Sequence, residues 1–267
     1  MEITLESFTK TFDETVSTES KELIESLYVF GSLARGEKIQ IESDIDSVLL
    51  LNNKDQVSYM EMMKLSGDLI KLDKALGVVV DHVFCTQDDL FELISPTLIV
   101  NLHIDGINIY GKDLKQRFSQ YLSTCTKPQL LNSFLRTDMF RRQQLRKKYI
   151  KLDLNNTNNI DNANIFAICK DVILTARDLL YFDKEALITP KKEICSYFLA
   201  NFSGSDEFVN TPILSYNVRY GAVELRETKD KLDYLRRAFN FMEVASILIQ
   251  TKYKQITGKT KLDLKPF

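Results

Sequence analysis

Tryptophan is absent from this chain, and histidine occurs only twice in 267 residues. Without Trp, any aromatic wall around a ligand must be built from the 11 Tyr and 16 Phe. The two histidines, His82 and His103, give no support to the Arg–His motif of ribonuclease-type helical domains. The four cysteines, Cys85, Cys125, Cys169 and Cys195, are far apart and form no C-x-x-C pair. They read as reduced, partly buried thiols of a cytoplasmic protein. No apolar run is long enough to cross a bilayer, so no membrane association is expected. The opening residues, MEITLESFTKTFDE, are acidic and carry no apolar core, so no signal peptide is expected. No internal repeat is visible. TGKT at 257–260 lacks the first glycine of a phosphate-binding P-loop, because position 253 is Tyr. The formal net charge of −2 gives no signal for nucleic acid or membrane.

The chain is 44% hydrophobic and 27% charged, which fits a soluble globular protein with ample core. Its length suits one large or two ordinary domains. Residues 1–26 read as helices, with Ser17, Thr18 and Ser20 as candidate caps. LYVF (27–30) and IDSVLLL (45–51) read as strands. Apolar residues from Val57 to Leu76 keep helical spacing, and Gly77 stands where a C-terminal cap belongs. VVVDHVF (78–84) is β-branched and reads as a third strand. Thr86 with Asp88 and Asp89 marks a helix start running to about Ile94, and INIY (107–110) a last short strand. Beyond STCTKPQ (123–129) the pattern is helical throughout, interrupted by the asparagine-rich DLNNTNNIDNAN (153–164). The fold class expected is α+β: a mixed sheet with helices over residues 1–118, then an all-helical bundle over 119–267.

One stretch does not fit a bland reading. In YVFGSLARGEKIQIESDIDSVLLL (28–51), Asp44 and Asp46 fall on one face of a strand that looks half buried. Two carboxylates there repel each other and resist burial. A divalent cation removes the difficulty, since each oxygen ligand neutralises part of its charge. Gly31 lets the backbone approach a ligand closely. Ser32 offers a hydroxyl and, if it opens a helix, N–H groups that favour phosphate. Asp81, in the third strand, would join the other two carboxylates if that strand is a neighbour. The set suits two-metal phosphoryl chemistry. The competing reading is a Gly-Ser turn beside a solvated acidic edge strand.

The segment resembles the signature of polymerase-β-type nucleotidyltransferases: Phe30-Gly31-Ser32, eleven residues, then Asp44-Ile45-Asp46. Asp81 in VVVDHVF matches that family's third carboxylate. One departure is Ser47, where the family usually has an apolar residue. The resemblance implies two Mg²⁺ ions on Asp44, Asp46 and Asp81, with ATP as the nucleotide donor. Asp81 would ligate a metal or act as base, and Gly31 and Ser32 would hold phosphates.

The helical half, around DVILTARDLLYFDKEALITPKKEICSYF (171–198), resembles bacterial adenylyltransferases that modify streptomycin and spectinomycin. That likeness implies Arg177, Lys191 and Tyr220 as contacts to the nucleotide triphosphate, with Ser43 as a further phosphate contact. It also implies a helical domain that closes over the nucleotide and supplies cations. Two features depart from those enzymes. This chain has no Trp, and Asp81 is one methylene shorter than their catalytic glutamate. Locally, Thr189-Pro190 reads as N-cap and first residue of a helix, so Lys191 would sit at the positive end of the dipole. A bound anion would offset that penalty. A salt bridge for Arg177, an exposed turn for Lys191 and a packing role for Tyr220 are the plainer alternatives.

RRQQLRKKYIK (141–151) is basic and helical. It could track RNA, line the phosphate side of a cleft, or form a solvated helix face. His82 alternates with Asp81 and should face away from the metals. The reaction expected is transfer of AMP from ATP to a hydroxyl-bearing small molecule, an aminoglycoside being one candidate. Transfer to tRNA or to a partner protein, and a non-catalytic nucleotide-binding module, are the competing readings.

Overall fold

The computed structural model describes residues 3–37, 44–52, 57–94, 96–151 and 162–258. The chain divides into two compact units, Met1–Cys125 and Thr126–Pro266.

The first unit runs α1 (Leu5–Thr15), α2 (Thr18–Lys21), β1 (Ile24–Val29), β2 (Ile45–Leu51), α3 (Tyr59–Leu76), β3 (Val80–Cys85), α4 (Pro96–Asp105), β4 (Ile107–Gly111) and α5 (Lys115–Thr124). A short π-helical turn, Asp89–Leu93, follows β3. The strands form one mixed sheet in the order β3-β2-β1-β4. β1 is antiparallel to β2 and to β4, whereas β2 and β3 are parallel. A parallel pair needs a long crossover, and α3 supplies it.

Several boundaries follow from local chemistry. Ser17 caps α2 by accepting from the Ser20 N–H. Ser58 and Glu61 form a reciprocal capping box on α3, and Gly77 ends that helix in the left-handed conformation at φ 70°. The first strand begins at Ile24, inside the stretch expected to be helical. The sequence ESLYV alternates faces as a strand must, and pairing with two neighbours decides the matter.

Both faces of the sheet are covered. Leu27, Val29, Ile45, Leu49 and Val80 pack with Phe8 and Phe12 of α1 and Leu65, Leu69 and Leu72 of α3. Tyr28, Val48, Leu50 and Cys85 pack on the opposite face with Ile99, Leu102 and Phe118. Neighbouring residues on one strand therefore serve opposite cores, as the two-residue period requires.

The second unit contains α6 (Lys127–Lys151), α7 (Asn162–Lys184), α8 (Lys191–Asn201), α9 (Asp206–Arg219) and α10 (Thr228–Thr257). From Ile165 to Phe182, α7 buries residues on every side, which marks it as the central helix. α8 starts at Lys191 with Pro190 as N-cap, one residue later than the Thr189-Pro190 pattern suggests. Pro190 offers no side-chain cap, and its fixed φ of −65° sits just outside the helix. Most of the asparagine-rich stretch lies outside the described residues. Among the described residues, no helix is long and apolar enough to cross a membrane. The four cysteines carry no disulfide, and burial pushes the thiols of Cys85, Cys169 and Cys195 up to about 12.

Candidate metal and nucleotide site

β1 ends at Val29, and the chain turns sharply at Gly31, whose φ is +77°. The Phe30 N–H donates to the Asp46 carbonyl at 3.1 Å, so the turn starts in register with β2. Residues 32–35 then make one helical turn. The Arg35 N–H donates to the Gly31 carbonyl at 3.1 Å, Gly36 to Leu33 at 3.0 Å and Glu37 to Ser32 at 2.9 Å. With Gly36 left-handed at φ +67°, the last two bonds form a Schellman closure. Leu33 is buried against the α1–α3 core and anchors the turn from beneath.

The turn faces Asp46. A Cβ built on Gly31 would lie 2.7 Å from Asp46 Oδ2. Asp46 pairs directly with Asp81 across the parallel β2–β3 ladder. Asp44, one step before β2, completes the set: each of the three residues offers a carboxylate oxygen within 4.8 Å of the others. Asp44 and Asp46 are half-buried and Asp81 is exposed. Asp81 is the second residue of β3, and solvent reaches it. The donor set is all carboxylate oxygen, which suits a hard cation such as Mg²⁺ rather than a softer metal. Three carboxylates this close repel strongly unless a cation sits among them.

Behind the carboxylates is a feature that sequence reasoning passed over. Ser47 and His82 are paired across the same ladder, on the face opposite Asp46 and Asp81. The Ser47 hydroxyl lies 2.6 Å from His82 Nδ1. Burial pushes the His82 pKa down to about 4, which keeps the imidazole neutral. The family departure at Ser47 is therefore matched by a polar partner on the next strand. Its sequence signal was the pair of polar residues each following an aspartate, one in each strand.

Ser43 lies outside the described residues. Arg177, Lys191 and Tyr220 belong to the second unit. Arg177 is buried, donates from Nε to Asp178 Oδ1 at 3.1 Å, and has its guanidinium 5.8 Å from the centre of the Phe134 ring. The plainer alternative of a salt bridge for Arg177 is therefore present, with Asp178 as the partner. Lys191 is buried at the first position of α8, not on an exposed turn. Tyr220 follows α9 and packs its ring 4.5 Å from that of Tyr216.

The basic stretch on α6 is also engaged within its own unit. Arg141 pairs with the fully buried Asp178, Arg142 and Arg146 both pair with Glu243, and Lys148 pairs with Asp171. The Arg142 contact, above all, pulls the Glu243 carboxyl down to about 2.

A search of curated proteins returns no match. Among solved structures, the chain is similar to a crystal structure of a mutant toxin–antitoxin pair, MntA–HpeT. That likeness has 20% identity and a TM-score of 0.31, and it covers 45% of this chain and 86% of that one. Residues 10–106 match the family described as nucleotidyltransferase domain, a stretch that contains the Gly31 turn and all three aspartates, so this chain carries a nucleotidyltransferase domain.

Proposed function

We propose that the protein transfers AMP from ATP to a hydroxyl group of a small acceptor molecule, with Mg²⁺ held by Asp44, Asp46 and Asp81. The observation that carries this reading is the convergence of the three carboxylates within 4.8 Å beside the left-handed Gly31. Bound Mg²⁺ would supply charge neutralisation of the triphosphate and activation of the attacking hydroxyl. Asp44 and Asp46 hold their oxygens toward that charge. Asp81, being exposed, is placed to accept the acceptor's hydroxyl proton. The acceptor oxygen then bonds to the α-phosphorus, the bond to the bridging oxygen breaks, and pyrophosphate leaves. Gly31 and Ser32 bind phosphate through the turn. Ser43, Arg177, Lys191 and Tyr220 are assigned to the nucleotide on the resemblance alone.

A small acceptor is favoured over RNA by the state of α6. Four of its basic side chains are committed to carboxylates of their own unit. An RNA backbone would have to compete with those ion pairs for its counter-charges. Aminoglycosides are one acceptor class worth testing. Free thiols and an ATP donor suit a cytoplasmic setting.

The test is pyrophosphate release with α-labelled ATP and Mg²⁺, run against an aminoglycoside panel, total tRNA and a protein lysate. Label on a small molecule supports the reading as stated. Label on tRNA or on protein would replace the acceptor class. Absence of both Mg²⁺–ATP binding and pyrophosphate release would overturn the reading.

A further inference from the structure

The turn that carries Gly31 and Ser32 is followed by a cation that is not free to meet a phosphate. Arg35 donates from Nε to Glu37 Oε1 at 2.7 Å and from Nη1 to Asp105 Oδ2. The side chains of Arg35 and Asp105 are only 15% and 9% exposed, so the pair is shielded from solvent. Asp105 leans on Arg35 heavily: its other oxygen, Oδ1, is buried and accepts no hydrogen bond among the described residues.

Asp105 is itself held by the backbone. It is the last residue of α4, and the chain passes straight into β4 through Gly106. A Cβ on Gly106 would lie 2.3 Å from the Leu102 carbonyl oxygen, so this corner is as tight as backbone allows. β4 then pairs with the end of β1, Ile107 opposite Val29. Val29 leads within two residues to Gly31. The path is a closed ring: β1, the turn, Arg35, Asp105, β4, and back to β1. The Arg35 backbone N–H closes the same turn from within, on the Gly31 carbonyl.

We propose that Arg35 is a positioning residue: its ion pairs to Asp105 and Glu37 hold the Gly31–Ser32 turn in the shape that receives nucleotide phosphate. The proposal rests on the nucleotide reading of that turn. Two carboxylates already engage the one guanidinium, so Arg35 is a clamp and not a phosphate ligand. Asp105, far along the chain from the motif, becomes part of the nucleotide site without touching nucleotide.

The experiment is calorimetric titration of the full chain with Mg²⁺–ATP, well below the unfolding midpoint. The proteins are wild type, Asp105→Asn, Arg35→Lys, Arg35→Gln and the Arg35→Gln/Asp105→Asn pair. The clamp predicts that Asp105→Asn weakens binding by about tenfold. Arg35→Lys, which keeps the charge but not the fork, falls between wild type and Arg35→Gln. The double variant binds no worse than the weaker single one. Thermal unfolding of Asp105→Asn, which removes a charge but keeps its shape, guards against a loss that is merely of folding. A direct phosphate role for Arg35 predicts the opposite: Asp105→Asn frees the guanidinium and leaves ATP binding unchanged or tighter. That result, with wild type binding normally, would overturn the clamp alone. A wild-type protein that binds no Mg²⁺–ATP would overturn both the clamp and the nucleotide reading beneath it.

Discussion

Gly31 and Asp46 are so close that a methyl group on the first would lie 2.7 Å from a carboxylate oxygen of the second. Two demands thus meet at one glycine. Its φ of +77° belongs to a region that L-residues enter at a cost of about 1–2 kcal/mol. Its missing Cβ leaves room for a carboxylate of the proposed metal site. Gly31→Ala is expected to lower stability by about that amount and to displace Asp46. Mg²⁺–nucleotide binding should then fall further than the stability change explains. Calorimetry and denaturant unfolding on the same variant would check this, and retained binding would break the link between turn and carboxylate.

The carboxylates themselves should behave oppositely in function and in stability. Asp44→Asn and Asp46→Asn each remove one negative charge from a cluster of three. Each should abolish transfer while leaving the fold as stable as before or more so, because repulsion is relieved. Mg²⁺ should bind well only together with nucleotide, since it keeps to substrate phosphates rather than all-protein cages. Titration of both variants with Mg²⁺–ATP tests this. Wild-type affinity in both would remove the metal assignment.

The first unit was legible because its signals are local. Gly31, the alternation of Asp44 with Asp46, the Gly77 cap and the β-branched run ending in Phe84 are each readable within a few residues. What stayed hidden depends on pairing. Asp81 could be tied to Asp46 only through the parallel register of β2 and β3, which places them side by side. The Ser47–His82 pair follows from the same register and was equally invisible in either strand alone. Arg35 and Asp105 are 70 residues apart, and no periodicity links them. In the helical unit, the role of the basic run on α6 stayed open among RNA, phosphate and solvent because helical spacing does not reveal which carboxylates of α7 and α10 face it.

Lys191 offers a test of the nucleotide role assigned to the helical unit through the ratio of ATP to AMP affinity. If it meets the β- or γ-phosphate, Lys191→Ala should weaken ATP by about tenfold more than AMP, roughly one charge-assisted hydrogen bond. Equal losses would remove it from the triphosphate. Arg177→Ala is a poorer probe of binding. Asp178 is completely buried and, among the described residues, would keep Arg141 as its ion partner. Breaking a buried pair costs about 3–5 kcal/mol, and less where a second cation remains. A fall in the unfolding midpoint of Arg177→Ala is therefore expected.

The helical unit also has a buried acid whose titration should be visible. Asp138 on α6 is fully buried and accepts from the Ser246 hydroxyl at 2.8 Å. Burial, aided by the nearby Asp178 and opposed by Arg141, pushes its pKa up to about 6. A carboxyl with a raised folded pKa holds its proton in the native state at a pH where the unfolded chain has released it. Stability therefore falls as pH rises from about 4 to 6, and the full penalty, on the order of 3 kcal/mol, applies at pH 7. Glu243 does not mask this. Its depressed carboxyl withdraws stability only as pH drops below about 4.5. Asp138→Asn keeps an oxygen for Ser246 and carries no charge. The variant should be more stable than wild type at pH 7 by up to that amount, and the difference should shrink as pH approaches 4.5. Denaturant unfolding followed through hydrogen exchange of α6 and α10 at pH 4.5, 6 and 7.5 would measure it. A variant less stable than wild type at pH 7 would mean that attraction to Arg141 outweighs burial, and that Asp138 is held as a charged member of the Arg141–Asp178 network.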